Sequence, residues 1–281
     1  MGKKVWGIVA FVLIICGLGF AFLGLIISGF DFGKLVGDGK SVTNEHEISE
    51  TVTAIEIDTS TADISFAKAA DGKVKVVCTE SEKRQHEVTV QNGTLMIKEK
   101  STKKWFEYIG VFSGFGSKKK VVIYLPEKKA EGAARKLSKE TAYEVDSMKI
   151  DTSTGDLDLA DINVKGELSI SVSTGEVKLT NVTADKLTVD SSTGNVVMAD
   201  TEIRGAMKVD TSTGDVKITA SDAKDIMIET STGDVNCEFL SEKSVKTDTS
   251  TGSVKVPNNS ENADPCVVDT STGDITVTFK K

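Results

Sequence analysis

Apolar and polar residues alternate on both sides of a glycine that recurs through the C-terminal half of the chain. Alternation with a period of two predicts β-strands that bury one face. The Thr-Ser-Thr-Gly-Asp segment between the alternating stretches shifts their phase by one residue, which predicts a corner between two strands. Examples of the alternating pairs are Leu168/Ile170 and Met207/Val209 before the glycine, and Val177/Leu179 and Val216/Ile218 after it.

This strand-corner-strand phrase repeats with a period near 20 residues, as solenoid proteins do. It begins at Asp151, and its seven glycines are separated by 19 to 21 residues. An eighth copy, Asp58–Ile64, has Ala62 in place of glycine. Because glycine adopts backbone conformations that alanine avoids, we expect that corner to be distorted or differently turned. The glycines are Gly155, Gly175, Gly194, Gly214, Gly233, Gly252 and Gly273.

The pattern predicts an all-β fold, a parallel β-solenoid whose rungs of about 20 residues stack about 4.8 Å apart. Each rung would contain a strand, a corner, a second strand and a return loop. The regular repeats occupy residues 148–281, and residues 51–147 form an irregular N-terminal β part with a hairpin turn at Asn92-Gly93. Its strand-like stretches are Lys73–Thr79, His86–Gln91, Thr94–Glu99 and Lys119–Leu125.

A single N-terminal transmembrane helix is predicted before the β domain. Residues 5–28 carry no charge, and as a helix they would be about 36 Å long, enough for a bilayer core of about 30 Å. Lys3 and Lys4 place residues 1–4 in the cytoplasm, with a linker over 29–50 and the repeats outside. A cleaved signal peptide is the competing interpretation, but the apolar run is too long and no Ala-x-Ala site follows it.

The cysteines give no disulfide framework, because three irregularly spaced cysteines follow the apolar segment. Cys237 and Cys266 occupy inward positions of repeats that are two rungs apart in sequence, so we expect buried free thiols. Cys16 follows Ile15 rather than a small residue, and therefore does not match a lipoprotein cleavage site.

Aromatic residues cluster between lysines in residues 103–120, within the irregular part. One interpretation is a cap that packs on the end of the solenoid. The other is an interaction loop, because aromatic and basic residues together suit a membrane interface or a partner. The aromatic residues are Trp105, Phe106, Tyr108, Phe112 and Phe115.

Two columns of acidic residues flank the predicted corner, one four residues before the glycine and one directly after it. Oxygen ligands stacked in this way suit calcium, which is one interpretation. The other is a set of solvated, turn-capping carboxylates, since repulsion between neighbours is only about 1 kcal/mol in water. The acidic columns are therefore compatible with calcium binding but do not require it. The candidate residues are Asp151, Asp156, Asp210, Asp215, Asp269 and Asp274.

The sequence favours no catalytic, cofactor or nucleic-acid function. Its net charge of −8 opposes phosphate binding. The two histidines, His46 and His86, are not spaced as a metal-ligand pair, so we predict neither a metal nor a cofactor. A glycan-active β-helix enzyme is the alternative, but the acids repeat equivalently on every rung instead of forming one exceptional site.

The repeated STG corner followed by [DE]-V-x-[IVL] resembles a bacterial adhesin-like β-strand-repeat family, a domain of unknown function, over about residues 50–281. The short lead and single apolar segment are similar to those of a membrane-anchored member associated with cell-envelope stress. The resemblance implies no catalytic residues. It implies a non-catalytic, single-pass membrane protein with an extracytoplasmic domain for adhesion-like binding or envelope scaffolding, and an envelope protein or glycan as partner.

Overall fold

The computed structural model describes residues 40–101, 119–126, 143–258 and 262–280. Every regular element in these ranges is a β-strand. The strands are β1 Ser41–Ile48, β2 Ala54–Thr61, β3 Asp63–Lys68, β4 Val74–Ser81, β5 Arg84–Gln91, β6 Thr94–Ser101, β7 Lys120–Leu125, β8 Tyr143–Val145, β9 Ser147–Thr154, β10 Leu157–Val164, β11 Glu167–Thr174, β12 Val177–Ala184, β13 Lys186–Thr193, β14 Val196–Ala199, β15 Glu202–Thr213, β16 Val216–Thr232, β17 Val235–Phe239, β18 Lys243–Thr251, β19 Val254–Lys255, β20 Asp264–Thr272 and β21 Ile275–Phe279.

Several predicted segments lie outside the described residues: the cytoplasmic residues 1–4, the transmembrane helix at 5–28, residues 29–39 of the linker, and the aromatic residues between 103 and 118. The remainder of the predicted linker contains strand β1, Ser41–Ile48. Within the described ranges, no helix has the length and apolar character needed to cross a bilayer.

The chain divides into two compact units. The larger comprises Thr43–Glu80, His86–Lys100 and Lys118–Lys281. The described part of the smaller unit is limited to residues 40–42, 81–85 and 101. In that unit Ser81 pairs with Arg84 across a tight turn, and the amide of Glu82 donates to the carbonyl of Lys40 at 3.1 Å.

The larger unit is the predicted parallel β-solenoid. Strands before the corner pair in parallel, for example β9 with β11 and β11 with β13, and strands after it do the same, as β10 with β12. The register joins equivalent repeat positions, so the apolar columns become continuous buried columns. One such column contains Met148, Leu168, Leu187, Met207 and Ile226.

The corner glycines are required by the spacing of the rungs. All seven have φ between 140° and 154°. A Cβ on Gly214 would lie 2.1 Å from the carbonyl oxygen of Gly194 on the neighbouring rung, and the other corner glycines face equivalent oxygens at 1.9 to 2.1 Å. In the first copy, Ala62 is not among the described residues with positive φ, yet its amide donates to Thr154 O on the neighbouring rung at 3.0 Å, as the amides of the corner glycines do on theirs.

A second corner divides what the sequence presents as a return loop. Asp161, Asn181, Asp200 and Ala220 all have φ between 48° and 56°, six residues after their glycines. The segment that follows is a third inward-facing, parallel-paired face and not a loop, which corrects the predicted rung. Its buried residues are Ile162, Val164, Val182, Ala184, Ile203 and Ala223.

The last two rungs are stacked in the reverse of their sequence order. β20 pairs with β16 on one side and with β18 on the other, so the corner at Gly273 lies between those at Gly233 and Gly252. The prediction that Cys237 and Cys266 lie two rungs apart is therefore wrong, since their rungs are adjacent. The prediction of buried free thiols is confirmed.

Lys243 marks the point where the chain passes over the inserted rung. Its side chain is 1% exposed, and its Nζ donates to the carbonyl of Ala223 at 2.7 Å and lies 2.6 Å from Asp222 Oδ1. A buried ammonium group requires such partners, because without them the free-energy cost of removing its charge from water is not offset. The contacts fix this crossing against the third face of the preceding rung.

The irregular N-terminal part extends the same stack. β2 pairs in parallel with β6 and β9, and β3 does so with β7 and β10. β4 runs antiparallel to β7. Asn92 and Gly93 have φ values of 51° and 80°, as expected for the predicted two-residue hairpin turn. All four strand-like stretches of this part are confirmed as β4 to β7.

Candidate functional site

The acidic column before the corner forms an open groove at the C-terminal end of the stack. Asp210, Glu229, Asp269 and Asp248 occupy four successive rungs in that spatial order. The groove has a volume of about 370 Å³. Hydroxyl groups from the corners complete its lining, namely Ser231, Ser250 and Ser271 with Thr211, Thr230 and Thr270.

The same column is interrupted nearer the N-terminal end. Ser171 stands between Asp151 and Asp190, and neither of these two acids lines the groove. Lysines offset part of the acidic charge, since Lys149 Nζ lies 3.1 Å from Asp151 and Lys208 Nζ lies 3.5 Å from Asp210. The hydrogen bond from Lys149 to Asp151 raises the pKa of that ammonium.

The acidic column after the corner accepts hydrogen bonds between rungs. Oδ1 of Asp156 accepts from the amide of Glu176 at 2.8 Å, and Oδ1 of Asp215 accepts from the amide of Asp234 at 2.9 Å. Asn195 occupies one position of this column and accepts from the amide of Asp215. The turn-capping interpretation is consistent with these hydrogen bonds, and calcium binding stays the untested alternative.

This ladder continues to the terminal rung. Asp234 accepts from the amide of Asp274 at 2.8 Å, and Asp274 accepts from that of Ser253 at 2.7 Å. The hydrogen bond from the Ser253 backbone lowers the pKa of the Asp274 carboxyl group, because it stabilises the charged form.

A different cluster is fully buried at the start of the β domain. Cys78 and Glu80 alternate along the inward face of β4, and His86 follows on β5. One ligand atom of each residue lies within 4.8 Å of the other two. The side chains of Glu80 and His86 are 0% exposed, and Glu80 Oε2 lies 2.7 Å from His86 Nδ1.

Glu80 is held by two further hydrogen bonds. The backbone amide of His86 donates to Oε2 at 2.6 Å, and the side-chain amide of Asn44 donates to Oε1 at 2.6 Å. Burial, and to a smaller extent the nearby Glu80 carboxylate, raises the pKa of the Cys78 thiol to about 12.

The sequence did not reveal this cluster. In sequence His86 has no second histidine at metal-ligand spacing, whereas in the structure its neighbours are a cysteine and a glutamate on the preceding strand. The sequence shows that Cys78 and Glu80 alternate on one face of a strand. They come close to His86 only because the chain reverses direction between β4 and β5.

Of the lysines that bracket the aromatic segment, two are described. Lys119 is buried, with its Nζ 3.9 Å from Glu99 Oε1, and Lys120 is exposed at the start of β7. Lys119 therefore does not contribute to an exposed basic surface.

Comparison with known proteins identifies a family for most of the chain. The family model described as Toastrack DUF4097 matches residues 52–281. No curated protein matches the chain.

Solved structures of several bacterial proteins are similar to the chain. A candidate adhesin from Bacteroides fragilis is 16% identical and has a TM-score of 0.49, with 87% of this chain and 100% of that chain covered. A candidate adhesin from Parabacteroides distasonis is 16% identical, with a TM-score of 0.46 and coverages of 85% and 99%. A candidate lipid-binding protein from the same species is 16% identical, with a TM-score of 0.33 and coverages of 87% and 98%.

Proposed function

This chain belongs to the Toastrack DUF4097 family, and we propose that it acts as a non-catalytic binding scaffold of the cell envelope. In this proposal the β-solenoid lies outside the cytoplasm. A single helix over residues 5–28 holds it to the membrane. The binding is adhesion-like or associated with envelope stress, and the partner is an envelope protein or glycan.

The regular outer surface of the solenoid is the observation that carries the proposal. The corners present equivalent acids and hydroxyls on successive rungs, in the register of the parallel strands. A catalytic site normally requires one exceptional group of residues with matched geometry and pKa values. A repeated surface instead suits an extended or repetitive partner, to which several rungs contribute similar contacts.

A binding experiment with the full chain tests the proposal. The chain, reconstituted in lipid vesicles, is incubated with fractions of the cell envelope with and without calcium, and retained protein or glycan is identified. Binding that survives Asp210→Asn and Asp269→Asn singly, and weakens in the double variant, supports a distributed surface. Turnover of a cell-wall glycan that either single substitution abolishes would support the glycan-active alternative.

The orientation follows from Lys3 and Lys4, which precede the uncharged segment. Protease added to intact protoplasts is expected to remove the repeats, with a cytoplasmic protein as the control for lysis. Repeats that are protected until the membrane is permeabilised would contradict this orientation.

The aromatic segment is proposed as a second contact with membrane lipid or a partner. Trp105→Ser, Phe106→Ser and Phe112→Ser together are expected to reduce binding of the solenoid to anionic vesicles and to leave its melting temperature nearly unchanged. A large fall in melting temperature with unchanged vesicle binding would instead support the cap interpretation.

A further inference from the structure

Cys78, Glu80 and His86 bring three different metal-binding groups into one buried place. The thiol, the carboxylate and the imidazole each offer one ligand atom within 4.8 Å of the other two. Tetrahedral ligands on a zinc ion are separated by about 3.4 Å, given bonds of about 2.0 to 2.3 Å. Glu80 Oε2 and His86 Nδ1 are 2.7 Å apart and would have to separate by about 0.7 Å, so small rotations of the side chains would place the three ligand atoms around one ion.

The chemistry of the three groups selects the class of metal. Calcium and magnesium prefer oxygen ligands throughout, whereas thiolate and imidazole bind zinc and its neighbours among the transition metals. One sulfur, one nitrogen and one carboxylate oxygen make a mixed set that zinc accepts. This site is thus distinct from the exposed acidic columns, whose oxygen ligands suit calcium.

A buried nitrogen atom of the cluster itself has no hydrogen-bond partner, which is a second, independent observation. His86 Nε2 is buried and has no hydrogen-bond partner among the described residues. The same is true of Nε2 of His46, which lies two residues from Asn44 on β1, the strand that pairs with β4. Buried polar atoms without partners are rare in folded proteins and often mark an ion or water.

The surrounding hydrogen bonds already orient the carboxylate. Asn44 Nδ2 donates to Glu80 Oε1 at 2.6 Å, and the His86 amide donates to Oε2 at 2.6 Å. Groups of this kind, which hold a ligand without touching the metal, are characteristic of protein metal sites.

We propose that Cys78, Glu80 and His86 form a structural site for one transition-metal ion of the zinc type, which joins β4 to β5. Binding converts the Cys78 thiol to a thiolate and releases its proton to solvent, while the imidazole binds in its neutral form. The burial of the three side chains leaves no room for a substrate, so the ion stabilises the fold. It acts in the irregular part of the stack, where the regular corner is lost.

Metal content and cobalt absorption test this site in the full chain, purified in detergent. After chelation, addition of zinc and removal of the excess, the chain is expected to retain about one zinc ion and to melt at a higher temperature than the metal-free chain. Cys78→Ser and His86→Gln are expected to reduce retained zinc to background. Cys266→Ser removes a buried thiol outside the cluster and should retain the ion.

A second variant, in which Cys78 is retained, tests the proposal even if Cys78→Ser does not fold. The triple variant Cys16→Ser, Cys237→Ser and Cys266→Ser leaves Cys78 as the sole thiol. Cobalt bound by this variant should show a thiolate charge-transfer band. Absence of that band, or zinc below about a tenth of an equivalent after refolding with the metal, would overturn the proposal.

Discussion

The corner at Gly273 lies directly against the corner at Gly233, although 40 residues separate them and the corner at Gly252 comes between them in sequence. The amide of Gly233 donates to Thr272 O, and that of Gly273 donates to Thr251 O, each at 2.9 Å. The C-terminal strands are thus inserted between two rungs formed earlier in the chain. The rung of Gly252 becomes the outer end of the stack.

This spatial order of the rungs predicts different effects on stability for substitutions at two residues that are paired in register. Ile275 is 0% exposed in the inserted rung, and its register partner Val254 is 44% exposed in the outer rung. Ile275→Ala is expected to lower the free energy of unfolding by about 2 to 5 kcal/mol, because it leaves a cavity between two rungs. Val254→Ala should cost less than about 1 kcal/mol. Chemical denaturation of both variants measures the difference.

If the rungs instead followed sequence order, Val254 would be internal and Ile275 would lie at the end. Val254→Ala would then be the more damaging substitution, and that result would contradict the inserted rung.

Much of the rung was predictable from sequence because its determinants are local. Alternation identified the strands, and the recurrent glycine identified the first corner. The order of the last rungs was not predictable, since the phrases around Gly252 and Gly273 both begin DTSTG and either can stack on Gly233. The cluster of Cys78, Glu80 and His86 was missed for a related reason, because it depends on a chain reversal and not on a repeated motif.

The corner glycines permit a test that separates steric contact from backbone strain. Gly214→Ala would place a Cβ 2.1 Å from a backbone oxygen, whereas Gly72, with φ of 72°, has no atom within 4 Å of its Cβ position. Gly72→Ala should therefore cost about 1 kcal/mol from the backbone conformation alone. Gly214→Ala is expected to cost at least about twice as much, since neighbouring rungs must separate. Equal melting temperatures for the two variants would show that the corner tolerates a side chain.

Substitutions of two adjacent residues test which side of the strand after the corner points into the core. Val216 is 0% exposed, and Lys217 is exposed on the opposite face. Val216→Asp would bury an unpaired charge and is expected to disrupt several rungs, because the rungs stabilise one another. Lys217→Asp should change the unfolding free energy by less than about 1 kcal/mol. Similar thermal shifts for the two variants would refute the assigned facing.

Asp274 is expected to contribute to the loss of folding stability at low pH. Its pKa is lowered in the folded chain by the hydrogen bond from the Ser253 amide. A carboxyl group with a folded pKa below its unfolded pKa stabilises the fold above the unfolded value, and this contribution is lost as the pH falls through the folded value. Asp274→Asn keeps an oxygen acceptor but does not titrate. The variant should therefore lose less stability than the natural chain as the pH falls from about 5 to about 2, as measured by denaturation at each pH. An identical loss would contradict the assignment.

Asp215 distinguishes a hydrogen-bond ladder from a calcium ladder. Its Oδ1 accepts from the amide of Asp234 at 2.9 Å, and Asn195 serves the same purpose one rung away. If the column acts only through acceptor oxygens, Asp215→Asn should be nearly neutral, whereas Asp215→Ala should cost about 1 kcal/mol for the lost hydrogen bond. A calcium ladder predicts a different ranking, because the ion requires the negative charge that both variants remove. Thermal denaturation with calcium and with chelator separates the two cases. A calcium-dependent rise in melting temperature that Asp215→Asn abolishes would show that the column binds the ion.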